Sequence, residues 1–257
     1  METFLSYPLL YQANLVLLFA LALGLLPLLR HITAPYGRHA RGGWGPTVEN
    51  RLGWVIMESP AVYIVAAFYF TGQHVGDPVV TVFFLLWQLH YVYRSFIYPA
   101  LDKARNKRMP MVVMFSAVLW NILNGYNIGF YFHELAPVRT THWFVQWPFF
   151  VGLILFLTGF YLNIQSDAIL RALRKPGETG YKIPYGGLHD YVASPNYFAE
   201  IVEWFGFALL TYSWCGLAFA CFTAGNLIPR ALSHLAWYRE TFPNYPAERK
   251  AVIPFLL

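Results

Sequence analysis

The sequence predicts an all-α integral membrane protein. Of its 257 residues, 57% are hydrophobic and 12% are charged, whereas soluble domains carry roughly 25% charged residues. Seven apolar segments are interpreted as membrane-spanning helices. They cover residues 10–29, 53–71, 78–98, 110–131, 144–164, 197–212 and 214–233. The chain length suits a single membrane domain, residues 1–257.

The basic residues predict the orientation of these helices. With seven spans the two termini lie on opposite sides, and of the 18 Lys and Arg residues only Arg139 falls on the side of the N-terminus. Because cytoplasmic loops are rich in Lys and Arg, we predict an outer N-terminus and a cytoplasmic C-terminus. The charges are dispersed among the spans, so the chain is not expected to bind nucleic acid.

The second span contains a carboxyl group. Glu58 lies about one turn inside segment 53–71, and Pro60 follows it. A carboxyl group in hydrocarbon is costly unless it is paired, protonated or facing a polar cavity. Glu58 is therefore a candidate functional residue. The alternative is a structural hydrogen bond to a neighbouring helix.

The third span ends in tyrosines and an arginine. Tyr91, Arg94 and Tyr98 follow one another at intervals of three and four residues, so in a helix they share one face. This order predicts a phenol beside a pocket inside the membrane and a cation nearer the cytoplasm, where phosphate groups could bind. The alternative is an aromatic belt at the membrane interface with a snorkelling arginine.

Two later spans contain polar residues whose local explanation competes with a functional one. The amides of Asn121, Asn124 and Asn127 in the fourth span are expected to join helices by hydrogen bonds. Glu200 and Glu203 begin the sixth span, and the N-terminus of a helix itself favours acidic side chains.

The longest polar segment runs from residue 163 to residue 200. It is longer than a connection between membrane helices requires. It combines basic, amide and tyrosine side chains with Gly180, Gly186 and Gly187, and glycines allow the backbone to approach a ligand closely. We therefore predict that this segment binds a polar, anionic ligand at the membrane surface.

Common nucleotide, metal and nucleophile motifs do not occur in the sequence. There is no G-x-G-x-x-G motif, Walker loop or G-x-S-x-G motif, and the histidines show neither H-x-x-x-H nor H-E-x-x-H spacing. A nucleotide would therefore need a site unlike that of a Rossmann fold, and a metal centre is not expected.

Six motifs occur along the chain at fixed spacing. They are PYGRH (35–39), WVIMESP (54–60), LHYVYRSFIY (89–98), NIQSDAILRALRKPGETGYKIPYGGL (163–188), ASPNYFAEIVEW (193–204) and YPAERKAVIPF (245–255). Together they resemble the motifs of the steroid 5α-reductases, or 3-oxo-5α-steroid 4-dehydrogenases, over nearly the whole chain. The forms MESP and GWGP resemble those of plant and bacterial members.

The resemblance implies the roles of individual residues. Glu58 and Tyr91 would be the catalytic pair and, with Trp54 and Met57, would bind the substrate around its 3-oxo group. The implied NADPH-binding residues are Arg94, Tyr98, Arg105, Asn163, Asp167, Arg174, Tyr181, Lys182, Asn196, His234, Tyr238 and Arg249. Residues 1–109 would thus form the steroid and catalytic half, and residues 110–257 mainly the NADPH-binding half.

Three positions depart from the family pattern that the resemblance implies. Met57 stands where animal members have Gln, Lys182 replaces an Arg, and Ala199 replaces a Gly. Met57 neighbours the implied ketone site, so it bears on which steroid is preferred.

The resemblance also implies an activity: NADPH-dependent reduction of the Δ4 double bond of 3-oxo-Δ4-steroids to 5α-3-oxosteroids, with hydride added at C5. The steroid would enter from the lipid bilayer, and the reaction would need no metal. The protein would be a monomeric multi-pass protein of the bacterial inner membrane or the endoplasmic reticulum. Alternatives are a related reductase of an enoyl-CoA, a polyprenal or another sterol, a methyltransferase of the isoprenylcysteine type, and a non-enzymatic sterol carrier or transporter.

Overall fold

Helices form most of the part of the chain that the structure describes. A computed structural model of the protein describes residues 6–102, 107–173 and 180–257. Each predicted span coincides with a helical segment, so the helical prediction is confirmed. The helices are α1 (Leu9–His31), α2 (Asn50–Thr71), α3 (Pro78–Val92), α4 (Tyr98–Leu101), α5 (Met111–Phe130), α6 (Trp147–Ala172), α7 (Pro195–Thr211) and α8 (Trp214–Thr241).

Five helical segments of the described chain are long and apolar enough to cross a membrane. They are Leu9–His31, Asn50–Thr71, Met111–Leu135, Trp147–Ala172 and Trp214–Thr241. The predicted third and sixth spans are shorter as helices. α3 has 15 residues and is separated from α4 by the π-helical turn Tyr93–Ile97, and α7 has 17 residues. Pro99 follows the π turn closely, and its missing N–H cannot continue the regular hydrogen-bond pattern.

Two short strands are present that no sequence pattern predicts. β1 (Thr47–Glu49) pairs antiparallel with β2 (Arg108–Pro110), and Val48 lies opposite Met109. Strands of three residues are too short to show the alternation by which a strand is recognised. Their pairing ties the segment before α2 to the segment before α5.

Helices α6 and α7 approach each other closely because glycines lie between them. A Cβ atom on Gly159 would lie 2.5 Å from the Glu203 nitrogen, and one on Gly206 would lie 2.5 Å from the Phe156 nitrogen. Small residues permit such backbone contact between membrane helices. The close contact fixes the position of Glu203 along the axis of α6.

Amide and indole groups tie other helices together. The Asn121 side chain donates to the Met57 carbonyl at 2.6 Å, and the Asn14 side chain donates to the Asn127 side chain at 3.1 Å. The Trp87 indole donates to the Ala61 carbonyl at 2.9 Å. The prediction that span-four amides join helices is thus confirmed for Asn121 and Asn127.

The connections that follow α1, α4, α6 and α8 lie together and are called the loop-rich end: residues 33–49, 107–110, 180–194 and 242–257. The C-terminal segment binds the 180–194 segment here. Ala193 N donates to the Lys250 carbonyl at 2.8 Å, and Ser194 N donates to the Ala251 carbonyl at 3.1 Å. The segment that leads into α7 is therefore held by the end of the chain.

Candidate active site

A cavity of about 360 Å³ extends from the middle of the helices to the loop-rich end. Its walls come from helices α2 to α8 and the π turn Tyr93–Ile97, together with residues from the segments 36–38, 107–109 and 180–194. What we call the inner part is lined by Met57, Glu58, His90, Tyr91, Asn121 and Phe219. Residues that are distant in sequence thus line one cavity.

Glu58 is held in the inner part by α5. The Asn121 side-chain nitrogen lies 3.3 Å from Glu58 Oε2 and donates to it. The same nitrogen also donates to the Met57 carbonyl, which fixes the amide in one orientation. One carboxyl oxygen of Glu58 therefore makes the structural hydrogen bond to a neighbouring helix that the alternative interpretation expects. The side chain nevertheless lines the cavity.

Tyr91 is held by aromatic packing. Only 3% of the residue is exposed, and its ring centroid lies 4.5 Å from that of Trp87 and 5.8 Å from that of Trp204. Phe219 stacks on it from α8 at 6.4 Å. The Glu58 carboxyl group is near enough to interact electrostatically with the phenol. The inner part thus combines a phenol and a carboxyl group in apolar surroundings.

Arg94 lies where the inner part meets the rest of the cavity. Its guanidinium carbon lies 4.8 Å from the ring centroid of Trp54 and 4.6 Å from that of Tyr98. Arg94 Nη1 is 3.6 Å from Asp167 Oδ2, and Asn196 donates to Asp167 at 3.1 Å. As their spacing predicts, Tyr91, Arg94 and Tyr98 all line the cavity.

Cations outnumber carboxylates along the cavity wall. The cations are Arg38, Arg94, Lys107, Arg171, Lys182 and Arg230, and the carboxylates are Glu58, Asp102, Asp167 and Glu200. Among the described residues, neither Arg38 Nη1 nor Arg171 Nη1, both buried atoms, has a hydrogen-bond partner. Buried donors without partners are rare in proteins, so this wall suits an anionic ligand that would supply the acceptors.

Aromatic rings orient two of these arginines. The Arg38 guanidinium lies 4.5 Å from the centroid of the Tyr238 ring, and that of Arg230 lies 4.4 Å from the centroid of the Tyr36 ring. Stacking of this kind helps to fix a guanidinium, and the Arg230 side chain is also hydrogen-bonded to that of Tyr36. Both side chains are therefore preorganised toward the cavity.

Two histidines stack between these arginines. The rings of His39 and His234 are 5.3 Å apart at an interplanar angle of 15°, and Ser194 Oγ lies 3.0 Å from His234 Nδ1. Burial, followed by the charges of Arg38, Arg230 and Arg41, lowers the pKa of His39 to about 4. His39 is thus neutral at pH 7, and the arginines carry the positive charge here.

Most of the predicted site residues meet in the cavity. Those that line it are Trp54, Met57, Glu58, Tyr91, Arg94, Tyr98, Asp167, Tyr181, Lys182, Asn196, His234 and Tyr238. Asn163 lies behind the wall, where it donates to the Asn196 carbonyl at 3.0 Å. Arg105 and Arg174 lie outside the described residues.

Arg249 is buried away from the cavity wall. Only 2% of it is exposed. It donates to the Pro184 carbonyl at 2.8 Å and lies 3.7 Å from Asp190. These contacts hold the 180–194 segment in place, so Arg249 stabilises the loop-rich end without lining the cavity.

Sequence reasoning did not single out Arg38, Arg171 or Arg230 as site residues. A signal for Arg230 was present: Arg230, His234 and Tyr238 recur every four residues of α8, and therefore lie along one side of the helix. Arg38 lies in the single 3₁₀ turn Gly37–His39, which is too short for residue spacing to predict a common face. For metals, the described chain holds no cluster of three or more His, Cys, Asp and Glu residues.

Comparison with known proteins relates this geometry to one family. The family described as 3-oxo-5-alpha-steroid 4-dehydrogenase matches residues 107–257. The steroid 5-alpha-reductase DET2 of Gossypium hirsutum is 39% identical over 251 residues, which are 96% of this chain and 97% of the relative. The 3-oxo-5-alpha-steroid 4-dehydrogenase 1 of Rattus norvegicus is 41% identical over 89% of this chain and 88% of its own length. The corresponding protein of Homo sapiens is 40% identical over 88% of each chain.

The fold and the similarity define a helical, membrane-type oxidoreductase. The chain belongs to the 3-oxo-5-alpha-steroid 4-dehydrogenase family, whose members are also called steroid 5α-reductases. The resemblance seen in the six motifs is thereby confirmed. Plant and mammalian relatives match the chain at similar identity.

Proposed function

We propose that this protein reduces the Δ4 double bond of 3-oxo-Δ4-steroids to 5α-3-oxosteroids with NADPH as the reductant. One observation carries the proposal: a single cavity unites the Glu58 and Tyr91 side chains with a wall of arginines. The Glu58 and Tyr91 side chains can polarise a ketone, and the arginines can bind phosphate groups. The names of the mammalian relatives, which specify 3-oxo-5-alpha-steroids, support the substrate class.

Tyr91 is the proposed donor to the 3-oxo group. During reduction, negative charge develops on the carbonyl oxygen, and a preorganised donor in an apolar site stabilises that charge. Glu58 Oε2 accepts a hydrogen bond from Asn121. The other oxygen, Oε1, would carry the proton of a neutral carboxyl group and donate it in a hydrogen bond to the same ketone or to Tyr91. Trp54 and Met57 line the cavity beside this pair and would contact the apolar steroid.

The cofactor would occupy the rest of the cavity. Arg38, Arg94 and Arg171, which line the cavity, would bind phosphate oxygens, because guanidinium groups bind them in bidentate fashion. The remaining proposed contacts are Tyr98, Asp167, Tyr181, Lys182, Asn196, Arg230, His234 and Tyr238, with Arg105 and Arg174 from the predicted set. When bound, NADPH would supply the hydride that C5 requires. Asn163 and Arg249 would act by positioning the wall.

The proposed membrane arrangement follows the sequence prediction. We propose seven crossings, with the N-terminus outside and the loop-rich end in the cytoplasm, since all of the 18 Lys and Arg residues except Arg139 fall on that side of the predicted spans. The steroid would enter from the bilayer and NADPH from the cytoplasm, in a monomer. In this proposal, residues 1–109 supply the ketone-binding pair Glu58 and Tyr91. Residues from both halves of the chain, 1–109 and 110–257, supply contacts to the cofactor.

A substrate panel tests the proposed function. Purified protein in detergent is expected to oxidise NADPH with testosterone or progesterone and to yield the 5α product, identified by its stereochemistry. NADPH absorbance and product analysis are measured together, with an enoyl-CoA and a polyprenal as comparison substrates. Turnover of either of those without turnover of any 3-oxo-Δ4-steroid would contradict the proposal and favour a related lipid reductase.

Arg38→Ala is expected to weaken NADPH binding selectively. A hydrogen bond to a charged group is worth roughly 1.5–3 kcal/mol, so KM for NADPH should rise at least about tenfold while KM for steroid changes little. Steady-state kinetics with each substrate varied in turn provides the measurement. Arg30→Ala, at an exposed residue near the end of α1, is the matched control and should leave both constants unchanged. A parallel rise of both in Arg38→Ala would indicate a folding defect.

A further inference from the structure

A buried histidine–glutamate pair borders the inner part of the cavity. His90 Nδ1 lies 2.7 Å from Glu203 Oε1, and the two side chains are 4% and 0% exposed. Glu203 reaches His90 from α7, whose position is fixed by the Gly159 contact with α6. A buried ionisable pair inside a membrane protein is costly and usually marks a functional site.

The geometry leaves one nitrogen of His90 for a ligand. The ring lines the cavity, and Nδ1 is engaged by Glu203, so Nε2 is the ring nitrogen that can meet a bound molecule. An imidazole oriented by a carboxylate through Nδ1 is the arrangement by which histidine transfers protons in many enzymes. His90 also lies next to Tyr91, with ring centroids 5.1 Å apart.

The proposed reaction requires a proton at C4, in addition to the hydrogen bonds that Glu58 and Tyr91 are proposed to give to the 3-oxo group. Addition of hydride to C5 moves the electron pair of the C4=C5 bond into a C3–C4 enolate. A proton must then form the new C–H bond at C4, and the C3=O bond is restored. C4 is bonded to the ketone carbon, so its proton donor must lie beside the donor to the ketone oxygen. In the inner part the groups able to release a proton are Glu58, Tyr91 and His90.

We infer that the His90–Glu203 pair is the proton donor to C4. This inference rests on the proposed function. In its neutral form the pair holds two protons, one between Oε1 and Nδ1 and one on Nε2. The Nε2 proton passes to C4, and the shared proton settles on Nδ1, which leaves a Glu203 carboxylate and a neutral imidazole. A proton from water entering through the loop-rich end then restores the pair. Overall, one hydride and one proton are consumed for each steroid.

Charged neighbours on the adjoining elements bear on this transfer. Glu58 on α2, Arg94 in the π turn and Glu200 on α7 all interact electrostatically with His90. The charge left on Glu203 after transfer is opposed by the carboxylate of Glu200 and, to a smaller extent, favoured by the cation of Arg94. Glu203 Oε2 has no hydrogen-bond partner among the described residues. Glu200 therefore opposes a lasting charge on Glu203, Arg94 limits the cost of a transient one, and no second donor among the described residues would hold the carboxylate permanently ionised.

His90→Gln tests the inference, with His133→Gln as its control. His133 also lies beside a glutamate, with Nδ1 3.2 Å from Glu134 Oε2, but this pair is 27% and 39% exposed. For His90→Gln we expect kcat to fall about 100-fold and the solvent deuterium isotope effect on kcat to rise. Deuterium from D₂O should also lose its preference for one face of C4. Dissociation constants for NADPH and steroid, measured by fluorescence, should stay within about twofold of wild type.

Glu203→Gln provides a second, independent variant. It keeps a hydrogen-bonding side chain of the same size but removes the proton reserve, so we expect a smaller fall in kcat with the same rise in isotope effect. A merely structural role would weaken binding and thermal stability and leave the isotope effect unchanged.

The outcomes separate the inference from the proposed function. Wild-type rate, isotope effect and C4 selectivity in His90→Gln would overturn the inference while the proposed function stands. If the His90→Gln protein does not accumulate in cells, then a wild-type rate, isotope effect and C4 selectivity in Glu203→Gln would overturn the inference. Absence of steroid reduction by the wild-type protein would instead overturn the proposed function.

Discussion

Tyr91→Phe is expected to lower kcat for a 3-oxo-Δ4-steroid about 10³-fold. Loss of a single donor to a developing oxyanion typically costs 10²–10³ in rate, and Tyr91 is the proposed principal donor. The substitution removes only the hydroxyl group. The contacts of the ring with Trp87, Trp204 and Phe219 remain, so the dissociation constant for NADPH should stay close to the wild-type value.

The matched control for this variant is Tyr63→Phe. Tyr63 lies on α2 and is 63% exposed, so loss of its hydroxyl should not change turnover. Single-turnover rates and NADPH fluorescence titrations of the two variants, measured side by side, separate chemistry from binding. Near-normal turnover by Tyr91→Phe would remove the phenol from the proposed mechanism and leave Glu58 as the main donor.

The parts of the fold that depend on hydrophobic length were predictable from sequence. α1, α2, α5, α6 and α8 are continuous apolar helices, and their composition alone identifies them. The interruption after α3 was not predictable in detail, because a π turn depends on local backbone hydrogen bonds near Pro99. The β1–β2 pair was missed because its strands have three residues each.

The same contrast applies to the candidate site. Glu58 could be singled out because a carboxyl group in an apolar span needs a physical explanation. Arg38 could not, because a basic residue in a polar loop is ordinary until the fold places it against Tyr238. The pairing of His90 with Glu203 joins residues 113 positions apart, and no spacing rule reaches over that distance. Intramembrane polarity therefore predicts individual residues, whereas their partners require the structure.

Glu58→Gln is expected to lower kcat between about 10²- and 10³-fold, within the range that general acid catalysis contributes. The structure makes this a test of acidity alone. The Asn121 nitrogen donates to the Met57 carbonyl and to Glu58 Oε2, so it would hold the carbonyl oxygen of the glutamine toward itself. The amide nitrogen of the glutamine then faces the cavity. A donor is retained at the same place, but an amide N–H is a far weaker acid than a carboxylic O–H. The loss in rate should therefore appear in the chemical step, with both substrates still bound.

The control variant is Glu49→Gln, which makes the same chemical change at an exposed residue of β1 and should be neutral. Single-turnover rates at saturating NADPH and steroid give the chemical step, and fluorescence titration gives binding. The double variant of Glu58→Gln with Tyr91→Phe adds a further test. If both groups stabilise one oxyanion, their combined effect on the rate should be smaller than the product of the single effects, because residues acting as a unit are not additive. Independent, multiplicative losses would show that Glu58 and Tyr91 act on different steps, and a Glu58→Gln enzyme with normal turnover would reduce Glu58 to its structural bond with Asn121.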